Sequence, residues 1–222
     1  MGSENGDSDE KPQHMIDVPY DYWMARYPIT NELYNAYAKA KNIKHPMGGW
    51  EKKKNHPVTN VKWTDAMAYC QWLNGLIKAE LPSGLTLRLP TEAEWEKAAR
   101  GTDGLEFPWG NQFDKNKCNT SGGGKRGTTP VGDYSPQGDS MYGCADMSGN
   151  VWEWTHSLKE AIPYKAKDGR EDEIASDARV LRGGSFGDNR RNARCAFRHD
   201  FGITLFINYV GFRVVVASPV IS

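Results

Sequence analysis

Leu85–Gly101 reads Leu-Thr-Leu-Arg-Leu-Pro-Thr-Glu-Ala-Glu-Trp-Glu-Lys-Ala-Ala-Arg-Gly. Leu85, Leu87 and Leu89 alternate with Thr86 and Arg88, the period of a strand with one buried face. Pro90 ends that run, and Thr91 with Glu94 forms a Thr-x-x-Glu capping box, so a helix begins at once and runs to about Arg100, where Gly101 stops it. Upstream, Thr30 is an N-cap for a helix carrying Leu33, Tyr37 and Ala40, ending before His45-Pro46. A second helix starts at Thr64 and places Ala66, Tyr69, Cys70 and Leu73 on one face before Gly75. Downstream to Asp146 nothing is periodic, and Gly122-Gly123-Gly124, Pro130, Pro136 and Gly138 punctuate a long irregular segment. Short strands are expected at Val151–Thr155, Arg179–Phe186, Arg194–Arg198 and Phe212–Ala217, with Lys159–Asp177 a charged, exposed insertion. No internal repeat or linker divides the chain. Residues 15–222 read as a single domain, and Met1–His14, rich in Gly, Ser and acids, as a disordered tail.

The 222 residues carry 28 basic and 28 acidic side chains, so no global field recruits nucleic acid. No run of about 18 apolar residues predicts membrane insertion, and the N-terminus lacks a basic-then-apolar secretory pattern. Cys70, Cys118, Cys144 and Cys195 form no Cys-x-x-Cys pair, which argues against thiolate zinc and for buried thiols. The histidines His14, His45, His56, His156 and His199 build no His-Glu-x-x-His motif, and neither a Gly-x-Ser-x-Gly elbow nor a phosphate loop occurs. Asp146–Trp154 is different: two carboxylates, a glycine and several carbonyls fall within one turn-to-strand segment, a donor set suited to Ca²⁺. The same residues also serve as a turn, with Trp152 and Trp154 filling the core.

Seven stretches in order carry a family signature: Met24–Asn31 (MARYPITN), Asn55–Trp72 (NHPVTNVKWTDAMAYCQW), Leu87–Gly101, Phe107–Gly110 (FPWG), Gly149–Thr155 (GNVWEWT), Arg179–Ser185 (RVLRGGS) and Val210–Val215 (VGFRVV). Together they resemble the formylglycine-generating-enzyme, or sulfatase-modifying-factor, family from about Asp17 to the end. The resemblance implies an α+β, irregular C-type-lectin-like domain of the formylglycine-generating-enzyme type, low in regular secondary structure and knit together by tryptophans. The family's oxidases hold copper with two cysteines five positions apart. Here Cys195 matches the second, and Arg190 stands in place of the first. A single thiol does not make the two-sulfur site that soft Cu(I) requires, so no copper and no oxidase activity are expected; Cys195 is read instead as an inward-pointing strand residue. The family's calcium ligands carry over to Asp146, the Gly149 and Val151 carbonyls and Glu153, as a structural Ca²⁺ site.

Between Arg198 and Gly211 relatives place Asn, Asp, Pro and Arg, whereas this chain has Phe201, Ile203, Leu205, Phe206 and Tyr209. An apolar cluster in a solvent-facing loop is costly unless a partner covers it. The Arg-Gly-Gly-Ser entry and the Gly-Phe-Arg-Val-Val exit resemble the variable proteins of diversity-generating retroelements, in which mutagenised adenines turn Asn codons into many residue types. Trp is not reachable that way, and the segment contains none. Within Val180–Val216 the expected ligand-contacting residues are therefore Phe186, Gly187, Asp188, Asn189 and Arg190, together with His199, Asp200, Phe201, Ile203, Thr204, Leu205, Phe206, Asn208 and Tyr209. Phe201, Leu205, Phe206 and Tyr209 are the expected anchors, and His199, Asp200, Asp188 and Asn208 the polar contacts. The resemblance implies a non-enzymatic, monomeric ligand-binding protein with a protein ligand, its location open among a virion, a cell surface and the cytosol. Its alternatives are an atypical oxidase using Cys195 and a structural protein with a fixed interface.

Overall fold

Thr91 caps its helix as its sequence predicts: the hydroxyl accepts from the Glu94 amide at 3.2 Å, and the Thr91 amide donates to Glu94 Oε2 at 2.8 Å. In the computed structural model, which describes residues 1–220, the elements in chain order are β1 (Trp23–Met24), α1 (Asn31–Ala40), α2 (Trp63–Ile77), β2 (Thr86–Arg88), α3 (Glu92–Arg100), β3 (Trp152–Leu158), β4 (Arg179–Arg182), β5 (His199–Phe201), β6 (Val210–Phe212) and β7 (Val215–Ala217). Two small sheets result, one ordered β1-β7-β2 and the other β5-β4-β3-β6, the β3–β6 pair being parallel. This is a mixed α+β fold with long irregular connections, in agreement with the expected class.

The elements differ from expectation where burial departs from residue type. Helix α1 buries Tyr34, Tyr37 and Ala38 and leaves Leu33 exposed, because Tyr34 stacks on Tyr69 of α2 with centroids 5.7 Å apart, and Tyr69 meets Phe212 of β6 at 5.3 Å. Helix α2 runs through Gly75 to Ile77. Arg194–Arg198 is a series of turns rather than a strand, the expected Arg179–Phe186 strand stops at Arg182, and Phe212–Ala217 divides between two sheets. Tryptophans tie the start of α2 and the residues before it to β3: the Trp63 indole donates to Thr155 O and that of Trp154 to Val61 O, both at 2.9 Å.

Helix α3 buries Trp95, Ala98 and Ala99 in a small core cluster, and Glu92, Glu94 and Glu96 are buried as well. Each carboxylate meets arginine: Glu94 takes both ends of Arg88 at 2.7 and 2.8 Å, Glu92 both ends of Arg198 at 2.5 and 2.8 Å, and Glu96 bonds Arg182 and Arg100. Such pairs stay buried because bidentate bonding satisfies charge and donors together. The same chemistry corrects the reading of Met1–His14 as disordered. Glu10 is fully buried on Arg194 at 2.6 and 2.8 Å, and the Gly2 amide donates to Glu96 at 2.8 Å. The segment has little apolar surface to bury, but its acids neutralise arginines of the domain.

The Lys159–Asp177 insertion is likewise anchored rather than wholly exposed, for Arg170 and Glu171 are buried. His156 of β3 is sandwiched between Glu171 (2.7 Å, Nδ1) and Glu173 (3.0 Å, Nε2). Burial opposes the charged ring, but hydrogen bonds and charge from both glutamates outweigh it and hold the pKa above the usual histidine value. A raised folded pKa stabilises fully below the unfolded value of about 6.5 and is lost as pH rises through the folded one. Urea midpoints of the wild type are therefore expected to fall relative to those of His156→Gln as pH rises above about 6.5; parallel profiles would show that His156 is not protonated in the fold.

Candidate ligand-contacting face

Trp152, the first residue of β3, stands between the two intervals expected to meet ligand. Its indole N–H donates to Asp188 Oδ2 at 2.9 Å, while its ring packs against Phe197 and His199 with centroids 5.9 and 5.4 Å away. Strand β5 pairs antiparallel with β4, setting His199 opposite Leu181. After β4 the chain turns sharply at Gly184, where φ is +74° and a Cβ would lie 2.9 Å from the Asn192 carbonyl oxygen. Residues 186–190 and 199–201 thus gather around one buried tryptophan.

Within the first interval, Gly187, Asn189 and Arg190 are exposed and Phe186 is half-buried. Phe186 and Gly187 line a cleft of ≈ 490 Å³ together with Ser121, Gly124, Lys125 and Arg126. Asn189 Oδ1 accepts from the Arg191 amide at 2.8 Å. Asp188 is not a free contact. Its Oδ2 accepts from the Trp152 indole, the Ser185 amide (3.0 Å) and the Ser185 hydroxyl (2.5 Å), and its Oδ1 from Asn192 Nδ2 (3.0 Å). Its backbone oxygen accepts from the amide and hydroxyl of Ser121, each at 2.9 Å. The carboxylate is spent on the turn.

The second interval alternates. Phe201, Ile203, Leu205, Ile207 and Tyr209 are half-buried and pack on the main core, whereas Gly202, Thr204, Phe206 and Asn208 are exposed, Phe206 at 55 %. The path is held by Asn60 N–H to Ile207 O at 3.0 Å and Trp152 N–H to Tyr209 O at 2.9 Å. The expected anchors thus differ in orientation. Phe201, Leu205 and Tyr209 are footings whose rings and branches rest on the core, and Phe206 is the one large apolar side chain among them that solvent reaches freely. Phe206 breaks the apolar alternation of Phe-Gly-Ile-Thr-Leu-Phe-Ile-Asn-Tyr, which hides the two rows in the sequence. His199 Nδ1 accepts from the Asp200 amide at 2.8 Å, and Asp200 lies 3.8 Å from the Lys159 ammonium. Trp152 and Phe197 were not among the expected contact residues.

Cys195 is fully buried in a turn beside Trp95, Ala98, Ala99, Cys144 and Met147, and burial pushes its thiol up to about 12. All four cysteines are free and buried. A thiol so placed is protonated at neutral pH and shielded from solvent, the opposite of a reactive thiolate. Iodoacetamide is accordingly expected to leave the native protein unlabelled at pH 8 and to label it only after unfolding, as mass spectrometry would show.

The four expected calcium donors do not fit the ion as a set. Glu153 accepts from Arg213 Nε (2.6 Å) and Nη2 (2.7 Å) and from the Trp95 indole (2.8 Å), so its charge is neutralised. The Gly149 carbonyl accepts from the Val151 amide at 3.0 Å. Asp146 accepts from the Gly132 amide at 2.7 Å, and burial pushes its carboxyl up to about 6. Among the described residues no three His, Cys, Asp or Glu side chains group as a metal site.

A sulfatase-modifying factor enzyme 1-like domain model matches residues 1–218, the N-terminal segment included. The chain is 41 % identical over 154 residues to inactive C-alpha-formylglycine-generating enzyme 2 of Bos taurus, covering 64 % of this chain and 42 % of that protein. It is 34 % identical over 204 residues to the formylglycine-generating enzyme of Mus musculus, covering 79 % and 49 %. The chain thus spans about half the length of the curated relatives it matches. Among solved structures, Treponema denticola variable protein 1 superposes with a TM-score of 0.71 at 23 % identity over 87 % of this chain and 84 % of that one. PvdO from Pseudomonas aeruginosa gives 0.79 at 23 % over 97 % and 89 %. Those likenesses show a shared fold, and with the domain match they establish that the chain belongs to the sulfatase-modifying factor enzyme 1-like family.

Proposed function

We propose that this protein is a non-enzymatic ligand-binding protein whose C-terminal face, formed by residues 186–190 and 199–209, presents diversified side chains to a protein ligand. The observation that carries this reading is the division of labour in 201–209: a half-buried row fastens the segment to the core, and an exposed row of Gly202, Thr204, Phe206 and Asn208 stands on it. Outward side chains can then change without disturbing the core, the property that rigid scaffolds bearing variable loops share. Arg190 in place of a thiol and the protonated, enclosed Cys195 support a non-oxidase reading.

Sequencing the locus and its close relatives tests the proposal. Expected are a reverse transcriptase gene, an adenine-rich near-repeat of the 3′ coding end, and substitutions concentrated at outward positions. A locus with neither, or an invariant 199–209 segment, would favour a fixed interface instead. The fold supplies a second check. Phe206→Ser is expected to alter stability by no more than about 0.5 kcal/mol, whereas Leu205→Ser, which puts a hydroxyl against the core, costs about 1–3 kcal/mol. Equal costs in thermal unfolding would contradict the two-row arrangement.

A further inference from the structure

Away from residues 186–209, the segment Tyr20–Met24 and Lys97 and Ala98 of α3 frame a cleft of ≈ 400 Å³ with Tyr142 and Cys144. Its walls are aromatic and solvent reaches them: Trp23 is 58 % exposed, Tyr142 51 % and Tyr20 36 %. Exposed tryptophan and tyrosine gathered at one concavity are the composition of a binding patch rather than of ordinary surface. The walls are also fixed. Tyr20 donates its hydroxyl to Glu94 Oε1 at 2.9 Å and Tyr22 donates to the Glu94 carbonyl at 3.0 Å, while the Lys97 ammonium lies 5.8 Å from the Tyr22 centroid. The two tyrosine rings stand edge to face at 6.5 Å and 63°. Neither the Trp23 indole N–H nor the Tyr142 hydroxyl has a partner among the described residues, and Asp21 is exposed on the rim.

We propose that this cleft docks a proline-rich segment in the polyproline II conformation, with a basic residue of that segment paired to Asp21. Pyrrolidine rings pack against fixed aromatic faces, and a polyproline II backbone leaves its carbonyls free to accept from donors such as the Trp23 indole and the Tyr142 hydroxyl. The segment is ordered before it binds, so little entropy is lost on docking. An added β-strand is the poorer occupant, because β1, the edge strand here, is two residues long. The charges orient the guest: Asp21 draws the basic end, and Lys97 repels it from the floor.

The test is fluorescence anisotropy with a labelled peptide of eight prolines carrying one terminal Arg, alongside the same peptide without Arg and a matched peptide with alanine for proline. Saturable binding of the proline peptides is expected, with the alanine peptide at least about tenfold weaker, a difference of about 1.4 kcal/mol. Trp23→Ala and Tyr142→Ala are each expected to weaken binding about tenfold or more, as anchors of such patches do. Asp21→Asn should weaken only the Arg-bearing peptide, by about fivefold or less, the scale of an exposed ion pair. Because Trp23 and Tyr142 are exposed, both variants should retain wild-type circular dichroism and melting. Absence of saturable binding, equal binding of the alanine peptide, or binding indifferent to both aromatic replacements would overturn the proposal.

Discussion

An Arg213→Met variant is expected to lose about 3–5 kcal/mol of stability, read as a fall in the urea midpoint at neutral pH. Arg213 and Glu153 are both fully buried. The guanidinium makes two bonds to the Glu153 carboxylate, at 2.6 and 2.7 Å, and three more to the Ala25, Arg26 and Ala145 carbonyls at 3.1, 3.2 and 2.9 Å. One side chain therefore closes β3 against the chain leaving β1 and against the turn before Asp146. Removing it leaves a buried carboxylate with only the Trp95 indole and strips three carbonyls of a donor. The expected cost comes chiefly from the stranded charge, and a second variant separates that from lost packing. Glu153→Gln combined with Arg213→Met should recover a large part of the loss, since a neutral amide no longer needs a cation. If the double variant is as unstable as the single, the carbonyl bonds dominate and the ion pair is secondary.

That ion pair also shows where sequence reading reached its limit. Glu153 sits in a turn-to-strand segment rich in oxygen donors, so its residue type suited calcium; its actual partner is 60 positions downstream. The same holds for α3. Its capping box and its Gly101 stop depend on neighbours within four residues and were readable, whereas the burial of Glu92, Glu94 and Glu96 depends on arginines contributed by β2, β4 and the Arg194–Arg198 turns. Acids in the N-terminal segment suggest disorder for the same reason, Glu10 lying 184 positions from Arg194. Local signals of capping and of helix existence were legible; the pairing that decides which polar residues go inside was not. At the candidate face, Asp188 and His199 of the two expected intervals both meet Trp152, while the alternation of 201–209 turns several expected contacts toward the core, an orientation that depends on distant packing.

Asp188→Ala is expected to cost about 3 kcal/mol and to loosen the whole face, which is more than any replacement of an outward residue should do. Four hydrogen bonds end on its carboxylate, from Trp152, the Ser185 amide, the Ser185 hydroxyl and Asn192, and two from Ser121 end on its carbonyl. Alanine leaves the buried Trp152 indole N–H unpaired and releases the Ser185 turn that follows β4. A buried donor left without a partner costs about 1–3 kcal/mol by itself. Asp188→Asn keeps one acceptor oxygen and should lose less than half as much. The readouts are the thermal midpoint and a red shift of tryptophan emission as Trp152 becomes solvated. Consequences for the proposed diversification follow directly: Gly187, Asn189 and Arg190 can vary around a constant Asp188, because the carboxylate builds the turn that displays them. If Asp188→Ala keeps wild-type stability and emission, Asp188 belongs with the ligand contacts and the turn is held by Ser121 and Asn192 instead.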